Sequence, residues 1–239
     1  MSEWKLLLSR AALKEHEGWL ARERSGPGRL QIEGGDLSGA KTGGVLTAAR
    51  WLSCDVTRAR LELSNMQEVE FESCAFVGAS LRGCDLEGAQ WKSCSFVEAN
   101  LRLVDLVRAR VVNCDFSGAA LERSSWNGSL VEGCSFRDAH LVDSVFDDAE
   151  FRNCDFRGAN LSWSQGPPLG TARKSSFIGC DFRQADFSKL RLEGSTLRGC
   201  AVYGLRGEAL LESPCVFRAL DFSSEADGSD VRDAGPWKP

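Results

Sequence analysis

Histidine, tyrosine and methionine are scarce in this sequence: its 239 residues include two histidines, one tyrosine and two methionines. Histidine is the side chain that serves most often in general acid–base catalysis and in metal binding. Neither His16 nor His140 belongs to a recognisable catalytic motif, and the chain contains no Gly-x-Ser-x-Gly, P-loop or zinc-protease pattern. We therefore predict that the protein is not an enzyme and that it needs no cofactor or metal.

Long apolar runs and an excess of basic residues are also absent. No run approaches the ~18 residues that a membrane span needs, and the first residues lack the layout of a signal peptide. The formal net charge of −5 and the pI of about 5.3 argue against a protein that grips nucleic-acid phosphates, which requires a basic face. We expect a cytoplasmic protein that binds neither a membrane nor nucleic acid directly, and whose partner is basic.

A period of five residues runs through the middle of the chain. Stepping by five from Trp51 to Leu161 meets 23 large or branched hydrophobic residues without a break. A second series, two residues earlier, contains only Ala, Cys, Ser and Val. Neither the 3.6-residue period of a helix nor the 2.0-residue period of a strand produces this spacing. A chain that turns a corner every five residues does, with the large and the small residue of each side pointing inward.

A period of twenty residues lies over the first, so four pentapeptides make one coil. One column holds cysteines at regular intervals: Cys54, Cys74, Cys94, Cys114, Cys134 and Cys154. Stacked coils place like side chains above one another and let each backbone pair with its neighbours at ~4.8 Å. The pattern predicts an all-β solenoid in the form of a right-handed quadrilateral β-helix.

The ten cysteines all fall on the inward small-residue positions, including Cys84, Cys180, Cys200 and Cys215. Metal sites favour CxxC-type pairs, whereas the closest two cysteines here are ten residues apart. Without a secretion signal a disulfide framework is not expected either. We interpret the cysteines as buried free thiols; the alternative is a metal or redox use, and stacked thiols could lie near disulfide distance.

The repeats resemble those of the pentapeptide-repeat family, whose motif is A(D/N)Lxx. Ala99-Asn100-Leu101 and Ala159-Asn160-Leu161 match it closely, and Cys-Asp-Phe variants occur at 114–116, 154–156 and 180–182. The resemblance covers roughly residues 30–222. Some members, similar to the quinolone-resistance proteins, look like duplex DNA in width and charge and occupy the DNA-binding saddle of type II topoisomerases. Eight to nine coils at ~4.8 Å give a rod of about 40 Å, comparable with a dozen base pairs.

The resemblance therefore implies a protein partner such as DNA gyrase or topoisomerase IV, and protection from topoisomerase poisons. The alternative is a structural or adaptor module that positions a protein partner unrelated to DNA. The two differ in the expected effect of salt, which should weaken a charge-driven mimic more than an adaptor that uses apolar ends.

The chain divides into three predicted parts. Residues 1–29 form an N-terminal capping helix, with helical pattern over 3–23, and a linker; residues 30–222 form the β-helix; residues 223–239 form an acidic flexible tail. Proline and glycine interrupt the period in a loop at 162–173. Cys154 and Cys180 are 26 residues apart, which predicts a six-residue bulge that leaves the columns aligned.

Because the inward positions build the core, we expect function at the outward ones. The side centred on Met66 and Leu86 carries seven acidic residues against Arg108 and Arg191, a net charge of −5, whereas the other sides are near −2 and +1. These acidic candidates for partner binding are Glu68, Asp85, Glu87, Asp105, Asp147, Asp148 and Glu193. The alternative is that they only solvate a repeat surface.

Two further sets of residues are candidates for contacts. Loop residues that could touch the partner are Trp163, Gln165, Pro167, Pro168 and Leu169. The segment 205–222 is predicted to be irregular and apolar enough to close the C-terminal end or to form a homodimer there. Its candidate residues are Phe217, Leu220 and Phe222.

Overall fold

The computed structural model describes residues 8–162, 171–207, 210–212, 216–218 and 220–221. One α-helix precedes a series of three-residue strands in that part of the chain. These elements are α1 (Arg10–Ala21), β1 (Gln31–Glu33), β2 (Arg50–Leu52), β3 (Glu70–Glu72), β4 (Gln90–Lys92), β5 (Arg110–Val112), β6 (Leu130–Glu132), β7 (Glu150–Arg152), β8 (Thr171–Arg173), β9 (Ser176–Ile178), β10 (Arg191–Glu193), β11 (Thr196–Arg198), β12 (Leu210–Glu212) and β13 (Val216–Arg218).

The strands stack in parallel, one above another, and confirm the predicted β-helix. Ten of them form one sheet in the order β1 to β7, β9, β11 and β13, and β8, β10 and β12 form a second sheet. From β2 to β7 each residue pairs with the residue twenty positions later, as Arg50 does with Glu70. The four-pentapeptide coil predicted from the sequence is therefore the repeating unit of the structure.

Each coil has four faces, which the chain visits in a fixed order. The strand face is the ten-stranded sheet. The cysteine face follows, with the core residues Leu37, Val56, Phe76, Phe96, Phe116, Phe136, Phe156 and Phe182. The leucine face has Leu61, Leu81, Leu101, Leu121, Leu141, Leu161 and Phe187, and the acidic face has Leu46, Met66, Leu86, Leu106, Trp126, Phe146, Ala172 and Leu192. Because the order is cyclic, the cysteine and acidic faces lie on opposite sides of the rod.

The core consists of columns of identical or similar side chains. Phenylalanines from Phe76 to Phe182 stack on the cysteine face with ring centroids 4.7–5.1 Å apart and interplanar angles of 4–17°. This separation matches the ~4.8 Å spacing of neighbouring strands, so the backbone pairing and the ring stacking are satisfied together. The nine cysteines within the described residues are buried free thiols, as predicted, and Cys215 lies outside those residues.

The register changes twice along the rod. β1 pairs with β2 at an offset of 19 residues, and the offset becomes 20 at Val45, just after Gly43 and Gly44. Phe151 pairs with Phe177, an offset of 26. The six extra residues enter between Ser162 and Thr171, and the columns remain aligned, as predicted.

The structure corrects the predicted loop at 162–173. Its last three residues, Thr171–Arg173, form β8 and pair with β10. The sequence pattern missed this strand because its inward residue, Ala172, is small and does not extend the series of large hydrophobic residues. Stepping back five positions from Phe177 would have found it.

The two ends of the described rod differ. At the N-terminal end α1 begins after Ser9, whose hydroxyl accepts a hydrogen bond from the Ala12 amide at 3.2 Å. Residues 3–7 of the predicted helix lie outside the described residues. At the C-terminal end, the segment predicted as irregular continues the ladder instead: Phe217 pairs with Leu197 and Asp221 with Ala201. The twenty-residue spacing of these pairs explains why they stay in register.

Candidate functional site

The acidic face displays all seven predicted carboxylates at the surface of the rod. They stand beside the inward residues of their coils, and each is at least partly exposed. β8 and the residue that follows it add Arg173 and Lys174 to this face. Between residues 45 and 194, with Arg108 and Arg191, the face therefore has four basic residues against seven acidic ones. Its net charge is −3 and not the predicted −5, because the strand at Thr171–Arg173 had been assigned to a loop.

Four of the seven carboxylates form ion pairs. The Arg24 guanidinium, in the turn after α1, donates to both oxygens of Glu68, with an Nη2–Oε1 distance of 2.9 Å, and lowers the pKa of that carboxyl. Glu87 pairs with Arg108. The contact between Arg24 and Glu68 was not predicted because the two residues lie 44 positions apart in the sequence.

Arg173 bridges the other two paired carboxylates. Its Nε lies 3.8 Å from Asp147 Oδ2 and 3.6 Å from Glu193 Oε2. Its backbone amide also donates to Asp147 Oδ1 at 2.9 Å. Because these groups are partly exposed, each pair contributes only about 0–1 kcal/mol and can exchange for an external partner.

Asp85 and Asp105 are two half-exposed carboxylates of the acidic face, and Asp85 Oδ2 accepts a hydrogen bond from Gln67 Nε2 at 2.8 Å. They stand on neighbouring coils as paired residues, and the described part of the chain provides neither with an ion pair. Each carboxylate accepts a hydrogen bond from the backbone amide two residues later, at 3.2 Å from Glu87 and 3.0 Å from Val107. These bonds hold one oxygen of each carboxylate against its own turn. Asp148 likewise has no ion pair within the described residues.

The opposite face is also acidic, which corrects the prediction that the acid is concentrated on one side. Between residues 35 and 184 the cysteine face carries seven carboxylates and four arginines, a net charge of −3. Several of them form a ladder: Arg137 and Arg157 contact Asp155 at 2.7 and 2.5 Å, and Arg157 and Arg183 contact Asp181 at 3.5 and 2.6 Å. The rod therefore has two negative faces on opposite sides.

The charge density of these faces is far below that of duplex DNA. The acidic face and the cysteine face each span eight coils, or roughly 35 Å at ~4.8 Å per coil. The two faces together therefore carry about one net charge per 6 Å of length, compared with one per ~1.7 Å for DNA. Charge alone cannot account for tight binding to a DNA-binding protein.

The remaining candidates have different outcomes. Phe217 and Leu220 are partly buried and pack against the core, and Phe222 lies outside the described residues. All five loop candidates, from Trp163 to Leu169, also lie outside them. Among described residues no three His, Cys, Asp or Glu side chains are grouped as metal ligands. In the same part of the chain, no helix has the length and apolar character needed to cross a bilayer.

Comparison with known proteins identifies the repeats. A model described as "Pentapeptide repeat region" matches residues 64–146, and one described as "Pentapeptide repeats (8 copies)" matches residues 172–200. No curated protein sequence matches at a significant level.

Among solved structures, a trypsin-treated form of QnrB1, a plasmid-mediated fluoroquinolone resistance protein, is 21% identical, with 82% of this chain and 84% of that chain covered and a TM-score of 0.47. HetL, a pentapeptide repeat protein involved in heterocyst differentiation regulation from Nostoc sp. strain PCC 7120, is 19% identical, with coverage of 84% and 92% and a TM-score of 0.37. At these identities the likeness concerns the fold alone.

Proposed function

Because this chain belongs to the pentapeptide-repeat family, we propose that it is a non-enzymatic binding protein that engages a bacterial type II topoisomerase at the enzyme's DNA-binding surface. In that position it competes with DNA and protects the enzyme from poisons that act on the enzyme–DNA complex. DNA gyrase and topoisomerase IV are the candidate partners. The adaptor function, with a partner unrelated to DNA, is the alternative that the experiment below separates from it.

The observation that carries the proposal is the presence of two faces of net negative charge on opposite sides of the rod. Duplex DNA likewise presents two lines of negative charge along a rod. A basic saddle that closes around DNA would meet negative charge on both sides of this protein. On the acidic face, Asp85 and Asp105 can meet such a surface from neighbouring coils, and within the described residues no ion pair competes for either of them.

The low net charge sets the expected strength of the electrostatic contribution. Six net charges over roughly 35 Å should give a moderate dependence on salt, weaker than that of DNA itself. The arginines of the ion pairs limit repulsion along the rod, but they also lower its attraction for a basic partner. We therefore expect charge to orient the complex and apolar contacts to supply much of its affinity.

The test is DNA supercoiling by purified gyrase, with and without a poison, across a titration of the full chain at low and moderate salt. We expect either rescue from the poison or direct inhibition, and we expect the effect to weaken as salt is raised. The same titration with topoisomerase IV compares the two candidate enzymes. If neither enzyme responds at any salt concentration, the topoisomerase proposal is wrong and the adaptor function takes its place.

A matched pair of variants separates specific contact from general charge. Asp85→Asn with Asp105→Asn removes two charges from the acidic face while keeping the oxygens that accept the turn hydrogen bonds. Glu33→Gln with Glu132→Gln removes two charges from the strand face, where neither residue has an ion pair among the described contacts. We expect the first variant to lose most of the effect on the topoisomerase and the second to keep it. Equal losses would contradict the assignment of the acidic face.

A further inference from the structure

The corner between the leucine face and the acidic face contains two unusual residues. Each coil turns there through a residue with positive φ: Leu63 at 58°, Gly83 at 66°, Leu103 at 60°, Arg123 at 58° and Asp143 at 62°. A left-handed backbone costs an L-residue about 1–2 kcal/mol, least for glycine, asparagine and aspartate. Leucine gains nothing from this conformation.

Packing does not compensate for this cost. The side chains of Leu63 and Leu103 are 76% and 46% exposed. At the other described positions with positive φ, the chain has glycine or polar residues, apart from the small and buried Ala48. The fold therefore explains neither leucine, although it explains the core residues around them.

The two leucines form a single apolar strip along the rod. Gly83 lies on the coil between them, and the Leu63 side chain extends across it: a Cβ at position 83 would lie 2.8 Å from Leu63 Cδ2. Glycine therefore leaves the space that Leu63 occupies. Two coils at ~4.8 Å place the leucine positions about 10 Å apart.

Charges of opposite sign border the strip. Arg82 and Arg102 stand on the leucine-face side, and Asp85 and Asp105 stand on the acidic-face side. Arg102 donates to both oxygens of Glu122 at 2.7 and 2.9 Å, whereas Arg82 has no ion pair among the described residues. A partner that fits this corner needs an apolar centre with a basic edge and an acidic edge.

We propose that the Leu63–Leu103 strip is a docking site for an amphipathic α-helix of a partner protein, lying along the rod. Residues seven apart on one helix face are about 10.5 Å apart, which matches the leucine spacing. Residues on one face of a strand are about 6.7 or 13 Å apart and do not match. The acidic edge of the helix lies over Arg82 and Arg102, and its basic edge over Asp85 and Asp105. This site does not require the partner to be a topoisomerase.

The test uses a synthetic helical peptide of about 21 residues and no topoisomerase, so its result is independent of the supercoiling assay. The peptide has leucines seven residues apart, glutamates along one edge and lysines along the other. Binding to the full chain is measured by fluorescence anisotropy, with a peptide in which serine replaces both leucines as the control. We expect the leucine peptide to bind and the serine peptide to bind at least tenfold more weakly.

Two protein variants decide whether the corner is the site. Leu63→Asn with Leu103→Asn should weaken peptide binding by about tenfold for each leucine. Because asparagine tolerates positive φ, the variant should unfold at the same or a higher urea concentration than the native chain. Leu130→Asn, on the strand face at 47% exposure, should bind like the native chain. Native-like binding by the double variant, or no binding by the native chain up to about 1 mM peptide, would overturn the proposal.

Discussion

His16 connects the N-terminal helix to the first coil by hydrogen bonds, and we expect acid to break this connection. The ring is fully buried and stacks on Trp19 with centroids 5.6 Å apart. Its Nδ1 accepts a hydrogen bond from the Leu30 amide at 3.0 Å, and its Nε2 donates to the Thr47 carbonyl at 2.9 Å. Because an amide only donates and a carbonyl only accepts, the ring is neutral and in one tautomer. A proton on Nδ1 would face the Leu30 N–H and break that bond.

Burial is the main cause that lowers the pKa of His16 below its usual value near 6.5; Arg29 lowers it further, and the Thr47 bond and Glu17 oppose the shift. The unfolded chain therefore binds this proton first as the pH falls. The stabilisation is complete above about pH 6.5 and is lost as the pH falls toward the folded-state pKa. Within that window the loss is about 1.4 kcal/mol per pH unit, or tenfold in the population of the undocked helix.

Hydrogen exchange of the α1 amides measures this directly. We expect their protection, corrected for intrinsic exchange, to fall by up to about fivefold between pH 6.5 and 5.5 relative to the amides of β4, because the undocked state is already half protonated at pH 6.5. His16→Leu should lose the pH dependence. It should also lower protection at every pH, because two backbone groups lose their partner at about 1–3 kcal/mol each. A variant of His140, the other histidine, should behave like the native chain. Unchanged α1 protection on acidification would refute the reasoning.

Three other predictions concern the core and the C-terminal end. Trp126 donates its indole N–H to Ser124 Oγ at 2.8 Å, whereas the buried indole N–H of Trp91 has no partner in the described structure. We therefore expect Trp91→Phe to lower the free energy of unfolding, measured with urea, by about 1 kcal/mol less than Trp126→Phe does. A water-soluble disulfide reagent at neutral pH should modify no thiol of the native chain other than Cys215 until denaturant is added, since the other nine are buried. We also propose a homodimer through the C-terminal end: light scattering should give twice 26.1 kDa, and Leu220→Asp should give the monomer mass. A monomeric native chain would contradict it.

Most of the fold could be predicted from the spacing of the hydrophobic residues alone, because each inward position is buried and must hold a residue that fits the core. A column such as Phe76 to Phe182 is recognisable in sequence since each coil repeats the same environment. The surface was less predictable. The contact between Arg24 and Glu68 depends on where the chain turns after α1, which no repeat determines. β8 was missed because Ala172 fills a position that a large residue usually occupies, and the charge of the acidic face was overestimated in consequence.

The 26-residue coil shows where this architecture accepts foreign sequence. Six additional residues enter between Ser162 and Thr171, yet Phe151 still pairs with Phe177 and Asn160 with Asp186. Both neighbouring coils keep their register because each inward position is fixed by the coil beneath it. The corner between the leucine and acidic faces is thus a position where the fold tolerates inserted peptides. Peptides inserted at the equivalent corner of other coils would be displayed at intervals of about 4.8 Å along the rod.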